Sequence, residues 1–152
     1  MLPPPAGTRR KKSAPAHLSL HSLLNQANRQ VTSELRRIVG AEGLPAEFWR
    51  VLDIMADEQG RSMSELANEA GMLMPATSKL VDRMTEAALL QRSADPQDHR
   101  RVMLHISDFG LQKAAALRKD VREHQTRIGR AFGFDRQSEL RELLQDFIRA
   151  HR

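Results

Sequence analysis

The sequence contains no cysteine. That excludes disulfide staples, thiolate zinc sites and a cysteine redox sensor. No apolar run approaches the roughly 20 residues needed to cross a bilayer, and the N-terminus lacks the apolar core of a secretory signal. Both absences predict a cytoplasmic protein without a membrane partner. Equally missing are an HExxH pair, a P-loop, a glycine-rich dinucleotide turn and a nucleophile elbow. His105 and His124 have no spaced metal partners and read as surface residues, so neither a metal nor another cofactor is predicted.

What is present is charge and helical patterning. Lys plus Arg number 24 against 19 for Asp plus Glu, giving a formal net charge of +5. With a pI near 10.4, such a chain is drawn to polyanions. The same charge also suits ordinary solubility, so its placement must decide. A length of 152 residues fits one compact domain or a two-part dimerising subunit.

Residues 1–16 combine Pro3, Pro4, Pro5 and Pro15 with the run Arg9, Arg10, Lys11, Lys12, a composition that predicts a disordered basic tail. From His17 to Val39 apolar residues recur every three or four positions, through Leu20, Leu24, Ala27, Val31, Leu35 and Ile38, which predicts an amphipathic helix. Gly40 and Gly43 should stop it, and Pro45 should open a second helix ending near Gly60. Ser62 and Glu65 form a capping box before a short helix, Met63 to Ala70. Gly71 supplies a turn, and Pro75 leads into a helix over Ala76 to Ala88.

LLQRS and RVMLHIS then flank the polar segment ADPQDHR, which reads as a hairpin with a long tip. Ser107 can cap a long helix from Asp108 that carries Leu111, Ala115, Leu117, Val121 and Ile128, with a fraying end near Gly129, Gly133 and Asp135. A last helix, Arg136 to Ala150, presents Leu140, Leu143, Leu144, Phe147 and Ile148 on one side. The fold class predicted is mainly α with a small β-hairpin wing. The apolar sides of the first and last helices exceed what the central unit can cover, which predicts a second subunit.

Two helices around one glycine turn suit DNA, because the second helix of such a pair enters the major groove. If Leu66, Ala67, Ala70, Leu80, Val81 and Met84 pack the pair together, Thr77, Ser78, Lys79, Asp82 and Arg83 face outward. Thr77 and Ser78 can meet base edges or phosphates, and Lys79 and Arg83 can meet guanine or the backbone. Arg83 could equally pair with Asp82 or Glu86. Arg92, His99, Arg100 and Arg101 on the hairpin suit the minor groove, while Asp95 and Asp98 can cap its turn and orient Arg100 by a salt bridge.

Leu89 to Gly110, LLQRSADPQDHRRVMLHISDFG, closely resembles the wing of the MarR family of winged helix-turn-helix regulators. SELANEAG and LVDRM extend the likeness over Leu20 to Ile148. The resemblance implies a homodimer that reads a palindromic operator in double-stranded DNA as a transcriptional regulator, most often a repressor. Residues 17–152 would form one subunit, with 17–43 and 108–152 as N- and C-terminal dimerisation helices and 44–107 as the winged helix DNA-binding unit. Ser78 and Lys79 stand where the family usually has Thr and Arg, and His99 where a wing arginine is common.

It further implies a small-molecule effector bound between the dimer helices and the winged unit. Trp49 beside Arg50 suits a flat aromatic carboxylate by stacking and paired hydrogen bonds, with His17, His21, Asn25, Asn28 and Asp53 as further candidates. A lone Trp also suits a core, and Arg50 could pair with Asp53 or Asp57. Competing readings are an architectural DNA-binding protein indifferent to sequence, a protein-interaction module, and a small enzyme without a recognisable motif.

Overall fold

The computed structural model describes residues 18–151. The tail over 1–16 and the candidate His17 lie outside the described residues.

Helix α1, Leu20–Ala41, begins three residues later than its apolar pattern suggests, because the Ser19 hydroxyl accepts the Ser22 N–H at 3.2 Å and sets the start. It runs through Gly40, and the chain reverses at Gly43, whose φ of 73° lies in the left-handed region. Helix α2, Ala46–Met55, follows Pro45 and stops well short of Gly60. An Asx turn ends the segment: Asp57 Oδ1 accepts the Gln59 N–H, and Glu58 adopts φ 61°.

The chain then forms strand β1, Arg61–Ser62, which two residues cannot announce by alternation. Helix α3, Met63–Ala70, starts from the expected capping box. Ser62 Oγ accepts the Glu65 N–H at 3.3 Å, and the Glu65 carboxylate accepts the Ser62 N–H at 2.7 Å. The Ser62 N–H, followed by the Ser62 hydroxyl, holds the Glu65 carboxyl below its usual range. Gly71, at φ 62°, turns the chain toward helix α4, Met74–Glu86, with Pro75 in its first turn.

Strands β2, Leu90–Ala94, and β3, Val102–Ile106, form the hairpin, with Leu90 opposite Ile106 and Ala94 opposite Val102. β1 adds to the far edge of β3, so the sheet is a three-stranded antiparallel one in the order β1-β3-β2. Helices α5, Asp108–Phe132, and α6, Phe134–Ala150, complete a mainly helical chain with a small sheet, the winged-helix arrangement.

The core joins the end of α1 to α2, α3, α4, the hairpin and α5 through Val39, Leu52, Met55, Leu66, Met84, Leu89, Leu104 and Leu117, all fully buried. Each such side chain contributes roughly 1.5–3 kcal/mol. Along α5 the inward alanine is Ala114, while Ala115 is exposed. His124 is not a surface histidine: it is 8% exposed, and its Nε2 has no hydrogen-bond partner among the described residues. Gly129 does not mark a frayed end. It lies inside α5, where a Cβ would stand 2.4 Å from the Phe134 ring.

Ser107 joins three elements. Its hydroxyl donates to the Ala88 carbonyl at 2.6 Å and accepts the Gly110 N–H at 2.9 Å, while its own N–H donates to Leu89 O. Gly110 sits so close that a Cβ would lie 2.3 Å from the Leu89 carbonyl oxygen. Gly110→Ala should therefore cost about 1–3 kcal/mol, the range for overpacking a filled site. A thermal midpoint equal to that of the unsubstituted chain would contradict this packing.

Candidate nucleic-acid interface and effector cavity

The buried side of α4 is Thr77, Leu80, Val81 and Met84. Thr77 is thus a correction to the outward face expected for it. It is fully buried, and its hydroxyl donates to the Leu73 carbonyl at 3.0 Å, satisfying the polar atom inside the helix and removing it from any groove. Ser78 is half-buried, whereas Lys79, Asp82 and Arg83 are exposed.

Two of the expected DNA contacts are engaged within the chain. Arg83 pairs with Glu47 of α2, rather than with Asp82 or Glu86, and its guanidinium lies 5.2 Å from the centre of the Phe48 ring. Arg92 pairs with Asp82, tying strand β2 to α4. Exposed pairs of this kind are worth little in water, so both cations stay exchangeable with phosphate. Lys79 has no such partner among the described residues.

The hairpin tip is folded by its aspartates. Asp95 Oδ1 accepts the Gln97 N–H at 2.9 Å, and Asp98 Oδ1 accepts the Arg100 N–H at 3.0 Å. The expected salt bridge to the Arg100 side chain is absent among the described residues: Asp98 binds that residue's backbone. With its carboxylate taken up by the turn, the tip presents His99, Arg100 and Arg101 as exposed side chains.

A cavity of about 610 Å³ opens between α1, α2 and the end of α3, within the size range of small-molecule sites. Asn28, Trp49, Arg50 and Asp53 all line it, so the structure brings these four together. His21 and Asn25 do not. They contact each other at 2.9 Å on the first turns of α1, and Asn25 borders a separate groove of about 330 Å³. Spacings of four and three residues put His21, Asn25, Asn28, Thr32 and Leu35 on one side of α1. Extending the polar series to Thr32 and Leu35 would have found two lining residues that sequence reasoning missed. Glu69, Ala70 and Met72 carried no such signal.

Arg50 pairs with neither Asp53 nor Asp57. Its Nη1 donates to the Ala70 carbonyl at 3.0 Å, filling one of the free acceptors at the end of α3. Trp49 is buried to 8% exposure yet contributes to the wall, so it is a core residue that also borders the cavity. A larger groove, about 770 Å³, runs beside α5, but a single helix lines it and supplies no aromatic face. The cavity at Arg50 is walled by three helices and includes the Trp49 side chain.

Recognition-type helix, strand-bound wing and interhelical cavity define the class of winged helix-turn-helix proteins. Residues 42–101 match the family model described as MarR family. The chain is 25% identical over 133 residues to the HTH-type transcriptional regulator FarR of Neisseria gonorrhoeae, spanning 88% of this chain and 91% of that one. It is 26% identical over 132 residues to the homoprotocatechuate degradative operon repressor of Escherichia coli, spanning 87% and 89%. The solved structure of the transcriptional repressor CouR bound to a 23-mer DNA duplex matches with a TM-score of 0.77 at 25% identity, over 86% of this chain and 92% of that one. Over residues 42–101 the chain resembles the MarR family, and its likeness to these regulators extends over most of its length.

The wall of the cavity is braced from outside. Arg61, 12% exposed, makes paired bonds to Asp57 at 2.7 and 2.8 Å and to Glu69 at 3.0 Å. The Arg61 hydrogen bond, followed by the Gln59 N–H, lowers Asp57 from 3.8 to about 2. A carboxyl depressed in the folded state adds stability above its unfolded pKa and loses it as pH falls toward the folded value. The stability difference between the unsubstituted chain and Asp57→Asn should thus be constant above about pH 5 and vanish between about pH 4 and 2. Denaturant midpoints measured across that window check it; a difference that persists at pH 2 contradicts the clamp.

Proposed function

We propose that this chain is a homodimeric DNA-binding transcriptional regulator, a repressor released from a palindromic operator by a small aromatic carboxylate. One observation supports the reading: Arg92 of the wing pairs with Asp82 of α4, and Lys79 and the cationic tip, His99, Arg100 and Arg101, are exposed on the same two elements. The DNA-bound CouR structure and the operon repressor of Escherichia coli support it. In this reading residues 44–107 bind DNA, while the helices over 17–43 and 108–152 dimerise and set the two α4 helices about 34–36 Å apart. The protein works beside the chromosome, in the cytoplasm, and catalyses nothing. Among the described residues no helix is long and apolar enough to cross a membrane.

The effector would act through Arg50. A carboxylate entering beside Trp49 competes with the Ala70 carbonyl for the guanidinium, and a charged acceptor makes the stronger bond. The carbonyl it displaces belongs to the residue just before Gly71, where the chain turns into α4. Release follows only if the ligand prefers the rearranged state, and a typical coupling of about 1–3 kcal/mol gives about 5- to 150-fold weaker DNA binding.

Two experiments test the halves separately. Arg100→Ala should weaken binding to every duplex and lower the salt slope by about 1, whereas Lys79→Ala should change which sequences are preferred. Unaltered preference after the Lys79 change counts against α4 as the reader. Titration of Trp49 fluorescence should show saturable quenching by aromatic acids but not by their amides, with the response lost in Arg50→Met. A response that survives Arg50→Met places the effector elsewhere.

A further inference from the structure

The turn into α4 carries Met72, Leu73 and Met74 in succession. Met72 packs against the core, but Leu73 is 80% exposed and Met74 48% exposed. Leu73 occupies the cap position, where side chains that accept a hydrogen bond are favoured, and it makes no side-chain cap bond. Its backbone is nonetheless well anchored. The Leu73 carbonyl accepts both the N–H and the hydroxyl of buried Thr77, at 2.9 and 3.0 Å. An anchored backbone therefore presents an apolar side chain to water at the leading end of the helix that, on the reading above, enters the major groove.

Leucine offers no hydrogen bond to a base edge. The apolar group that the major groove displays is the C5 methyl of thymine, and the first residues of a recognition helix are the ones facing base edges. We infer that Leu73, flanked by Met74, is a specificity-determining residue that reads a thymine methyl in each half-site. Lys79 then supplies the polar part of the recognition and Leu73 the apolar part. This inference rests on the DNA-binding reading.

The test uses the full chain and a duplex chosen by in vitro selection from random sequence. Each thymine of the selected site is replaced singly by deoxyuridine, which removes only the methyl. One position per half-site should lose about fourfold in affinity, the effect of burying one methyl group, and about fifteenfold when both half-sites are changed. In Leu73→Ala the uracil effect should disappear, and affinity for the thymine site should already be reduced to a similar degree. Uracil indifference at every thymine, or an equal uracil effect in Leu73→Ala, overturns the inference while leaving a sequence-selective DNA binder. Failure to enrich any sequence overturns the DNA reading and this one with it. Leu73 has little to lose from the core, so an unchanged thermal midpoint verifies that the variant is folded.

Discussion

Ser107 is the point on which the geometry of the chain turns. One hydroxyl and one amide fasten the residues just after the recognition-type helix, the end of the wing and the first turn of α5. Ala88 beside it takes φ 58°, a conformation that a non-glycine residue holds only when its surroundings compel it. The absent side chain of Gly110 lets α5 close on the Leu89 carbonyl. α5 also packs on α1 and α2, so this junction joins the wing and the end of α4 to the helical base.

Charge is distributed in a similarly divided way. Arg61, Arg83 and Arg92 are bound into ion pairs that fix one element against another. Lys79 and the tip cations remain as exposed charge. On helix and hairpin, positive charge stands exposed at Lys79 and the tip and is paired where the two elements join.

Much of this was legible in the sequence. Capping at Ser62 and Ser107, the glycine turn at Gly71 and the alternating hairpin each follow from local chemistry, and local chemistry survives in the fold. Errors arose where residue type was allowed to outweigh position. Thr77 stands in series with Leu80, Val81 and Met84, and His124 with Leu117 and Val121, so helical spacing already placed both inward. Their polarity suggested otherwise. For Thr77 a bond to the Leu73 carbonyl removes the conflict. Arg50 was illegible for another reason: its acceptor is a backbone carbonyl twenty residues away, which no side-chain pattern reveals.

Helix α6 spans 17 residues without one buried side chain, and Leu140, Leu143, Phe147 and Ile148 all stand in water. A helix that draws so little from its own chain owes its persistence to tertiary cover. When that cover is a second copy, mass action governs how much of α6 is ordered. On the proposed dimer, the abundance of the protein itself sets how much of this apolar face is covered and how much stands in water.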